Sequence, residues 1–236
     1  MKILAIESSA KAASVCLTED EALIAQSWQN SGLTHSQTIL PMCEQMLKHC
    51  GVTPEQVDLI ACAAGPGSFT GLRIGLAAAK GLAWSLEKPC LGVSTLEAMA
   101  WQLAHVRGEV LCCMDARRGQ VYNARFRADG TRPERLCPDR AIALKDLFLE
   151  LDAKKEQIIV GDGAELCYNS AEGLGYALTL APPHLRLQTA WGVARCALEQ
   201  SRRGELSTPQ ELAANYIRLS QAERERLERE RNDHRR

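Results

Sequence analysis

The sequence predicts an α/β protein built from two successive lobes of similar organisation. Two observations support this prediction. The first hundred residues alternate strand-like and helix-like patterns in the order βββαβαβα. After Gly108 the chain begins again, with an apolar strand that closes on an acid, a polar turn and a second strand. With 236 residues and 46% hydrophobic composition, the chain is long enough for one large or two small cores.

Three strands and a helix open the first lobe. Apolar residues predict strands near residues 3–7, 13–18 and 23–28. A helix is predicted over residues 36–50, because apolar residues recur there at helical spacing and Gly51 follows as a C-cap. The apolar face of this helix consists of Ile39, Met42, Cys43, Met46, Leu47 and Cys50.

A second strand-to-helix unit follows. A buried strand is predicted at residues 59–63 and an Ala-rich helix at 72–85, with Thr70 as its N-cap. Ser94 and Glu97 have the spacing of a capping box, which predicts a third helix in which Glu97 reaches back to the Ser94 amide.

The second half repeats the opening pattern. Strands are predicted at residues 110–115, 120–126 and 157–160, with helices near 143–151 and 189–201.

The break at Gly108 and the polar composition of the last residues set the expected limits of these parts. We place the first lobe at residues 1–107, the second, smaller lobe at 108–220, and a charged tail at 221–236. The tail is mostly Glu and Arg in mixed order, which is typical of a solvated helix or a frayed end.

Charge and cysteine content narrow the class of function. The formal net charge of −1 provides no global basic field, so any RNA contact must be local or supplied by a partner. The ten cysteines form no CxxC pair, and several lie in apolar runs, which favours reduced, buried thiols. The apolar start of the chain is too short for a signal peptide, and no apolar run is long enough to span a membrane. We therefore expect a soluble cytoplasmic protein.

The stretch 65–75, GPGSFTGLRIG, is the most specific local pattern. A glycine-rich turn before a helix presents free amides and suits a phosphate. It is not a Walker loop, because no Lys-Ser or Lys-Thr follows the last glycine, and Thr70 breaks the GxGxxG pattern. The residues alone favour a structural turn and leave phosphate binding as the alternative.

A stripe of small residues follows this loop. Gly71, Gly75, Ala79 and Ala83 recur every four residues, which allows another helix to approach closely. That helix could belong to the same domain or to another protein. The Met-rich helix at 36–50 slightly favours another protein.

Few residues of the sequence are candidates for catalysis or for binding a metal or a nucleotide. Glu7 and Asp115, 108 residues apart, would suit a Mg-nucleotide site between two lobes, or each merely ends a strand. His35 has no second histidine at i+4, no GxSxG occurs, and no cysteine has a histidine at a diagnostic spacing. We therefore name no catalytic residue and no metal ligand. Arg117 and Arg118 could face a phosphate or carboxylate, although such a turn is more often solvated.

Several motifs taken together resemble the TsaB (YeaZ) family, and their order and spacing are specific over most of the chain. The matching stretches are ILAIESS at 3–9, HSQTILP at 35–41, the glycine loop at 65–75, GVSTL at 92–96, DARRGQVY at 115–122 and YIR at 216–218.

The resemblance implies a duplicated actin/hexokinase-like fold of the ASKHA, RNase H-like type. It also implies an accessory role in a complex with the paralogous catalytic subunit TsaD and the ATPase TsaE. That complex transfers a threonylcarbamoyl group to N6 of adenosine 37 in tRNAs that decode ANN codons. We expect a heterodimer with TsaD, a homodimer when the chain is alone, and only indirect or weak contact with tRNA. No cofactor is required, and a nucleotide at the partner interface stays an open alternative.

The resemblance and the patterns above give two sets of expected site residues. The residues expected to contact a nucleotide are Glu7, Ser8, Gly65, Gly67, Ser68 and Asp115. The residues expected to form the partner interface are Ile39, Met42, Cys43, Met46, Leu72, Gly75, Ala79 and Ala83. Two departures from the family pattern bear on function: the opening acid, usually Asp, is Glu7, and a usual proline is Ala214. The first departure weakens the case for metal or nucleotide binding. A small Mg-ATP-dependent phosphotransferase or ATPase is the alternative function.

Overall fold

The computed structural model of the protein describes residues 1–218, so the tail predicted at 221–236 lies outside the described residues. Two sheets, each with helices on both faces, make up this part of the chain.

Five strands form the first sheet in the order β3-β2-β1-β4-β5. Strand β1 pairs antiparallel with β2 and parallel with β4. The strands are β1 (Lys2–Glu7), β2 (Ala13–Glu19), β3 (Ala22–Gln29), β4 (Leu59–Gly65) and β5 (Cys90–Ser94). The helices in this half of the chain are α1 (His35–Cys50), α2 (Phe69–Ser85) and α3 (Thr95–Gln102).

The second sheet repeats this topology. Its order, read from the corresponding edge, is β8-β7-β6-β10-β11, and β9 also pairs with β7. Strand β6 pairs antiparallel with β7 and parallel with β10, as β1 does with its neighbours. The strands are β6 (Arg107–Asp115), β7 (Gln120–Asp129), β8 (Pro133–Arg135), β9 (Arg140–Ala143), β10 (Gln157–Val160) and β11 (Leu178–Leu180). The remaining helices are α4 (Leu144–Leu149), α5 (Ala164–Ser170), α6 (Pro183–Arg186) and α7 (Ala190–Arg202). The predicted duplicated actin/hexokinase-like fold is confirmed.

Four apolar clusters order the elements into layers. Helices α1 and α2 pack on one face of the first sheet, and α7 packs on the other face. Helix α3 packs against α7 and also contributes to the core of the second sheet, whose far face is covered by α4 and α5. Because both faces of each sheet are covered, the central strands are apolar on both sides.

One predicted helix packs against a different lobe from the one expected. The helix expected near 189–201, placed by the sequence in the second lobe, is α7, and it packs on β1, β2, β4 and β5 of the first sheet. Ser14 Oγ accepts a hydrogen bond from the Ala190 amide at 3.1 Å, which fixes the start of this helix to β2. The strands still divide between the sheets near residue 107, and the lobe limits themselves stay a prediction.

The N-terminal caps of α2 and α3 differ from the prediction in one residue or contact each. Ser68 rather than Thr70 is the N-cap of α2, because the Ser68 hydroxyl accepts a hydrogen bond from the Gly71 amide at 3.2 Å. Ser94 caps α3 as predicted, since its hydroxyl accepts from the Glu97 amide. The Glu97 carboxylate does not close a capping box; it bonds Arg135 Nη2 at 2.9 Å. At the end of α1, Gly51 takes the left-handed conformation as predicted, with φ +64°.

No helix of residues 1–218 is both long enough and apolar enough to cross a lipid bilayer. All ten cysteines are free thiols, and eight of them are buried.

Candidate functional site

A cleft of about 570 Å³ lies between loops that follow strands of the two sheets, and it is the main candidate site. The loop after β1 and the start of α2 form one side. The β6–β7 turn and the loop after β10 form the other side, and residues 215–218 also line the cleft. A cavity of this size suits a small molecule.

Glu7 and Asp115 end β1 and β6, the corresponding strands of the two sheets. Each carboxylate accepts a hydrogen bond from the amide two residues ahead. Glu7 Oε1 accepts from the Ser9 amide at 2.6 Å, and Asp115 Oδ1 accepts from the Arg117 amide at 2.7 Å. The duplication therefore extends to the local turns, and each acid shapes the turn that leads into the cleft.

The two acids differ in their surroundings. Glu7 is fully buried, and its Oε2 has no hydrogen-bond partner within residues 1–218. Burial raises the pKa of Glu7 to about 7, and the nearby Asp162 adds to this rise, although bonds to Ser9 oppose it. Asp115 lines the cleft, is partly exposed, and pairs with Arg117 Nη1 at 3.1 Å.

The glycines of the loop are required by packing against the turn after β1. A Cβ at Gly67 would lie 2.5 Å from the Ser9 carbonyl oxygen, and one at Gly71 would overlap the Ser8 carbonyl oxygen. A Cβ at Gly75 would overlap the Ser8 hydroxyl. The spacing of these glycines is therefore accounted for inside the domain.

The amides at this helix start are partly used by the chain itself. The Ser68 amide donates to the Ser9 carbonyl at 2.6 Å, and the Gly71 amide donates to the Ser68 hydroxyl. A phosphate would have to compete with these bonds. The structural turn, which the residues alone favoured, accounts for the loop.

Only half of the expected nucleotide residues reach the cleft. Gly67, Ser68 and Asp115 line it. Glu7 and Ser8 are buried behind it, where the Ser8 hydroxyl donates to the Gly71 carbonyl at 2.9 Å. Gly65 is covered by the carbonyl of Asn215, which would lie 2.5 Å from a Cβ at that position. A nucleotide role for this set stays a prediction, with Glu7, Ser8 and Gly65 outside the cleft wall.

The sequence reasoning missed two cleft residues, Asp162 and Gln188, which are joined by a hydrogen bond of 3.0 Å from Gln188 Nε2 to Asp162 Oδ1. The signal for Asp162 was its place between Gly161 and Gly163 directly after an apolar strand. Both glycines pack against the backbone at the end of β6, which carries Asp162 into the cleft. Nothing in the local sequence marks Gln188.

The segment 215–218 forms another wall of the cleft. The Asn215 amide donates to the Ala64 carbonyl at 2.7 Å, and Tyr216 stacks on Phe69 with ring centroids 4.9 Å apart. Arg218 Nη1 then donates to the Ala116 carbonyl at 2.9 Å. The family motif at 216–218 thus contacts both lobes.

The side chains expected at the partner interface are buried within this chain, and their role in partner binding stays a prediction. All eight are buried: Ile39, Met42, Cys43, Met46, Leu72, Gly75, Ala79 and Ala83. All but Leu72 and Gly75 belong to the apolar core beneath α1 and α2. The stripe of small residues faces the chain's own β1 turn and sheet. The side chains that these helices do expose include Leu40, Ala77 and Trp84, the last with 64% of its area exposed.

Groups that could act in catalysis are few in the described part. Residues 1–218 contain no cluster of three or more His, Cys, Asp or Glu side chains able to hold a metal ion. His35 Nε2 bonds the Ala10 carbonyl at 2.7 Å and orients the loop after β1. Burial raises the pKa of Cys16, Cys43 and Cys62, which disfavours the reactive thiolate.

Comparisons with known proteins place the chain among its relatives. Residues 29–179 match the family model described as TsaD: tRNA N6-adenosine threonylcarbamoyltransferase. The tRNA threonylcarbamoyladenosine biosynthesis protein TsaB of Bacillus subtilis is 36% identical over 68% of this chain and 69% of its own length. The protein of the same name from Escherichia coli is 41% identical over 55% of this chain and 56% of its own.

A solved structure agrees over nearly the whole chain. A Pseudomonas aeruginosa protein described as uncharacterized, with similarity to peptidase YEAZ, is 26% identical with a TM-score of 0.80, covering 92% of this chain and 99% of that one. Sequence and structure therefore agree, and the chain belongs to the TsaB (YeaZ) family.

Proposed function

We propose that this chain is a non-catalytic partner subunit in the biosynthesis of threonylcarbamoyladenosine in tRNA. Its curated relatives carry the name of that biosynthesis, and the matching family model is that of the threonylcarbamoyltransferase TsaD. Membership of this family is the observation that carries the proposal. The chain would act with TsaD and TsaE in transferring the threonylcarbamoyl group to adenosine 37 of ANN-decoding tRNAs.

The outer face of α1 and α2 is the surface we propose for TsaD. We define it by Leu40, Ala77, Gly81 and Trp84, which are all exposed. Small residues at 77 and 81 permit close helix approach, and a large exposed aromatic side chain such as Trp84 suits an interface anchor. The same face would pair with itself in a homodimer when the chain is alone.

A stand-alone phosphotransferase or ATPase has less support. The amides of the glycine loop are partly bonded within the chain, and Glu7 lies behind the cleft wall. The described residues also lack a cluster of metal-binding side chains. Phosphoryl transfer depends on phosphate-cradling amides and Mg²⁺ ligands, so these contacts favour the partner role.

Reconstituted modification of an unmodified tRNA transcript tests the proposal. With an activated threonylcarbamoyl donor supplied in every reaction, we expect modification to require this chain together with TsaD and TsaE, and this chain alone with the donor and Mg-ATP to produce none. Turnover of ATP by this chain alone would contradict the proposal.

A matched pair of variants tests the surface. Ala77→Arg places a charge on the α1–α2 outer face, and Ala153→Arg makes the same change at an exposed position of the second lobe. We expect Ala77→Arg to fold normally and to lose co-purification with TsaD, because a desolvated charge at an interface is costly. Ala153→Arg should bind TsaD as the parent chain does. Equal binding by both variants would refute the surface.

A further inference from the structure

One edge of the first sheet is open. Strand β3 lies at the end of the strand order β3-β2-β1-β4-β5 and pairs with β2 alone. Among residues 1–218, no backbone–backbone hydrogen bond reaches β3 from its other side. This strand of eight residues therefore presents a row of free amide and carbonyl groups, which can pair with a further strand.

The side chains of β3 do not protect this edge. Leu23, Ile24 and Trp28 are exposed by 51%, 39% and 42%, and the strand contains no charged residue and no proline. Soluble proteins usually protect an edge strand with charges, with proline or by keeping the strand short. An uncharged edge with large exposed apolar side chains therefore indicates a surface that another strand covers.

The other outer strands of residues 1–218 are protected. At the opposite edge of the first sheet, the Cys90 amide donates to the Ser207 carbonyl at 2.9 Å, and the Ser207 amide donates back to the Cys90 carbonyl at 3.1 Å. In the second sheet, the outer strands β8, β9 and β11 have only three or four residues each. In this part of the chain, β3 is therefore the one edge that is long, apolar and open.

The pairing with β2 shows which β3 side chains share a face. Trp28 pairs with Ser14, and Leu23 pairs with Thr18, because a bulge at Ile24 shifts the register. Ser14 and Thr18 are four residues apart in one strand and so point to the same face, the one on which α7 packs. Leu23 and Trp28 therefore form an exposed apolar strip along the edge, on the α7 side of the sheet.

We propose that β3 pairs antiparallel with β3 of a second copy of this chain. A second copy supplies the same open edge, and because the strand is uncharged, no like charges face each other across the pair. The acidic residues Glu19, Asp20 and Glu21 come just before β3. Antiparallel pairing sets these acidic segments at opposite ends, whereas parallel pairing would place them side by side.

This pairing joins the two five-stranded sheets into one continuous sheet. It brings Trp28 of each copy close to Leu23 of the other, and aromatic–aliphatic pairs of this kind stabilise neighbouring strands. A two-fold axis through the pair makes the contact closed, so it joins two copies and no more.

The β3 edge goes beyond the proposed partner role. Leu40, Ala77, Gly81 and Trp84 of the α1–α2 outer face belong to helices on one side of the sheet, whereas the apolar strip lies on the α7 side. The two surfaces can therefore be used at the same time. A chain with its α1–α2 outer face occupied by TsaD, as in the proposed function, would keep β3 free for a second copy.

Analytical ultracentrifugation of the full chain without TsaD tests the proposal. All chains carry Ala77→Arg, which places a charge on the α1–α2 outer face and removes any self-pairing there. We expect this chain to form dimers at high micromolar concentration. Adding Leu23→Lys should raise the dimer dissociation constant about ten-fold or more, because it buries an unpaired charge at the β3 edge. Adding Leu149→Lys, which changes a leucine that is 83% exposed on α4, is the matched control and should leave the dimer intact.

Cysteine substitutions test the antiparallel geometry in the same Ala77→Arg chain. A two-fold axis near the middle of β3 brings Gln26 opposite its own copy, so Gln26→Cys should form a disulfide-linked dimer on mild oxidation. Ala22→Cys at the start of the strand would lie about 25 Å from its copy and should not cross-link. The chain without either substitution, with its own ten cysteines, is the control and should also stay uncross-linked.

Three results would overturn the proposal. The first is an Ala77→Arg chain that stays monomeric at high micromolar concentration. A monomeric chain of this kind whose binding to TsaE is lost in Leu23→Lys would assign the edge to that partner instead. The second is a dimer that Leu23→Lys weakens no more than Leu149→Lys does. The third is cross-linking through Ala22→Cys in preference to Gln26→Cys.

Discussion

Ser8 and Gly71 meet at backbone contact. The Ser8 hydroxyl donates to the Gly71 carbonyl at 2.9 Å, and the Ser8 carbonyl occupies the space that a side chain at position 71 would need. The end of β1 and the start of α2 therefore position each other. A Cβ at Gly75, one helical turn later, would meet the same serine hydroxyl. The loop glycines thus hold the cleft wall in shape.

Replacing Gly71 by alanine should destabilise the protein. The new Cβ would overlap the Ser8 carbonyl, which is backbone and cannot move aside cheaply. We expect a loss of about 3 kcal/mol in the free energy of unfolding, measured by urea denaturation. Gly81→Ala in the same helix is the control. Nothing lies within 4 Å of its Cβ, so it should gain about 0.5–1 kcal/mol. Equal effects of the two changes would contradict the packing argument.

The sequence predicts the main elements because their apolar periodicity is strong. The strands near 3–7, 13–18 and 59–63 and the helix at 36–50 are all present, and the echo between Glu7 and Asp115 corresponds to repeated sheet topology. Short elements such as β8, β9 and β11 escape prediction, because three or four residues are too few to show a period. The four-residue strand β10 is predicted through its run of three consecutive β-branched residues rather than through a period.

The site was harder to predict for a physical reason. Periodicity marks a helix face as apolar or small, but does not say whether the chain itself or a partner covers it. Their spacing leads us to expect Ala79 and Ala83 at a partner interface, and both are fully buried in the chain's own core. Gln188 reaches the cleft only through tertiary contacts with Trp28 and Asp162, which no local pattern encodes.

Glu7 should make stability depend on pH. Its folded-state pKa is raised to about 7 from an ordinary 4.5, so the folded chain keeps a proton that the unfolded chain releases. The contribution of Glu7 to the free energy of unfolding is therefore largest below pH 4.5, and it is lost as pH rises through 7. The total loss is about 3 kcal/mol.

Glu7→Gln should remove this pH dependence, because the amide carries no charge and can still accept from the Ser9 amide. We expect the variant to be more stable than the parent chain at pH 8 and nearly equal at pH 4.5. Urea denaturation across this range measures the effect. Glu134→Gln, an exposed acid, should leave the parent profile unchanged. A parent chain that loses no more stability than Glu7→Gln between pH 4.5 and 8 would show that Glu7 ionises freely in the fold.

The buried and exposed faces of α2 should respond differently to the same substitution. Ala79 is fully buried and Ala77 is exposed. Ala79→Arg should cost about 4 kcal/mol or more, since it places a charge and bulk in the core beneath the helix. Ala77→Arg should change the free energy of unfolding by less than about 0.5 kcal/mol. Circular dichroism during thermal unfolding distinguishes them, and a stable Ala79→Arg would show that this face is not core.

Arg135 should be a main link between α3 and the β8–β9 segment. Its guanidinium bonds the Glu97 carboxylate at 2.9 Å and the Asp139 carboxylate at 2.5 Å, and Asp139 also accepts from the Ser94 hydroxyl. Arg135→Ala leaves two partly buried carboxylates without their cation, so we expect a loss of about 2–3 kcal/mol in the free energy of unfolding. Arg127 offers a matched comparison, because its pair with Glu134 is largely exposed.

The control, Arg127→Ala, should change stability by less than about 1 kcal/mol, as solvent screens that pair. Salt provides a second measurement that separates the two sites. Raising the ionic strength should abolish the small effect at Arg127 and leave most of the effect at Arg135, because partly buried pairs are screened less. If Arg135→Ala cost no more than Arg127→Ala, the network around Asp139 would not hold α3 to the second sheet, and the apolar contacts of α3 alone would do so.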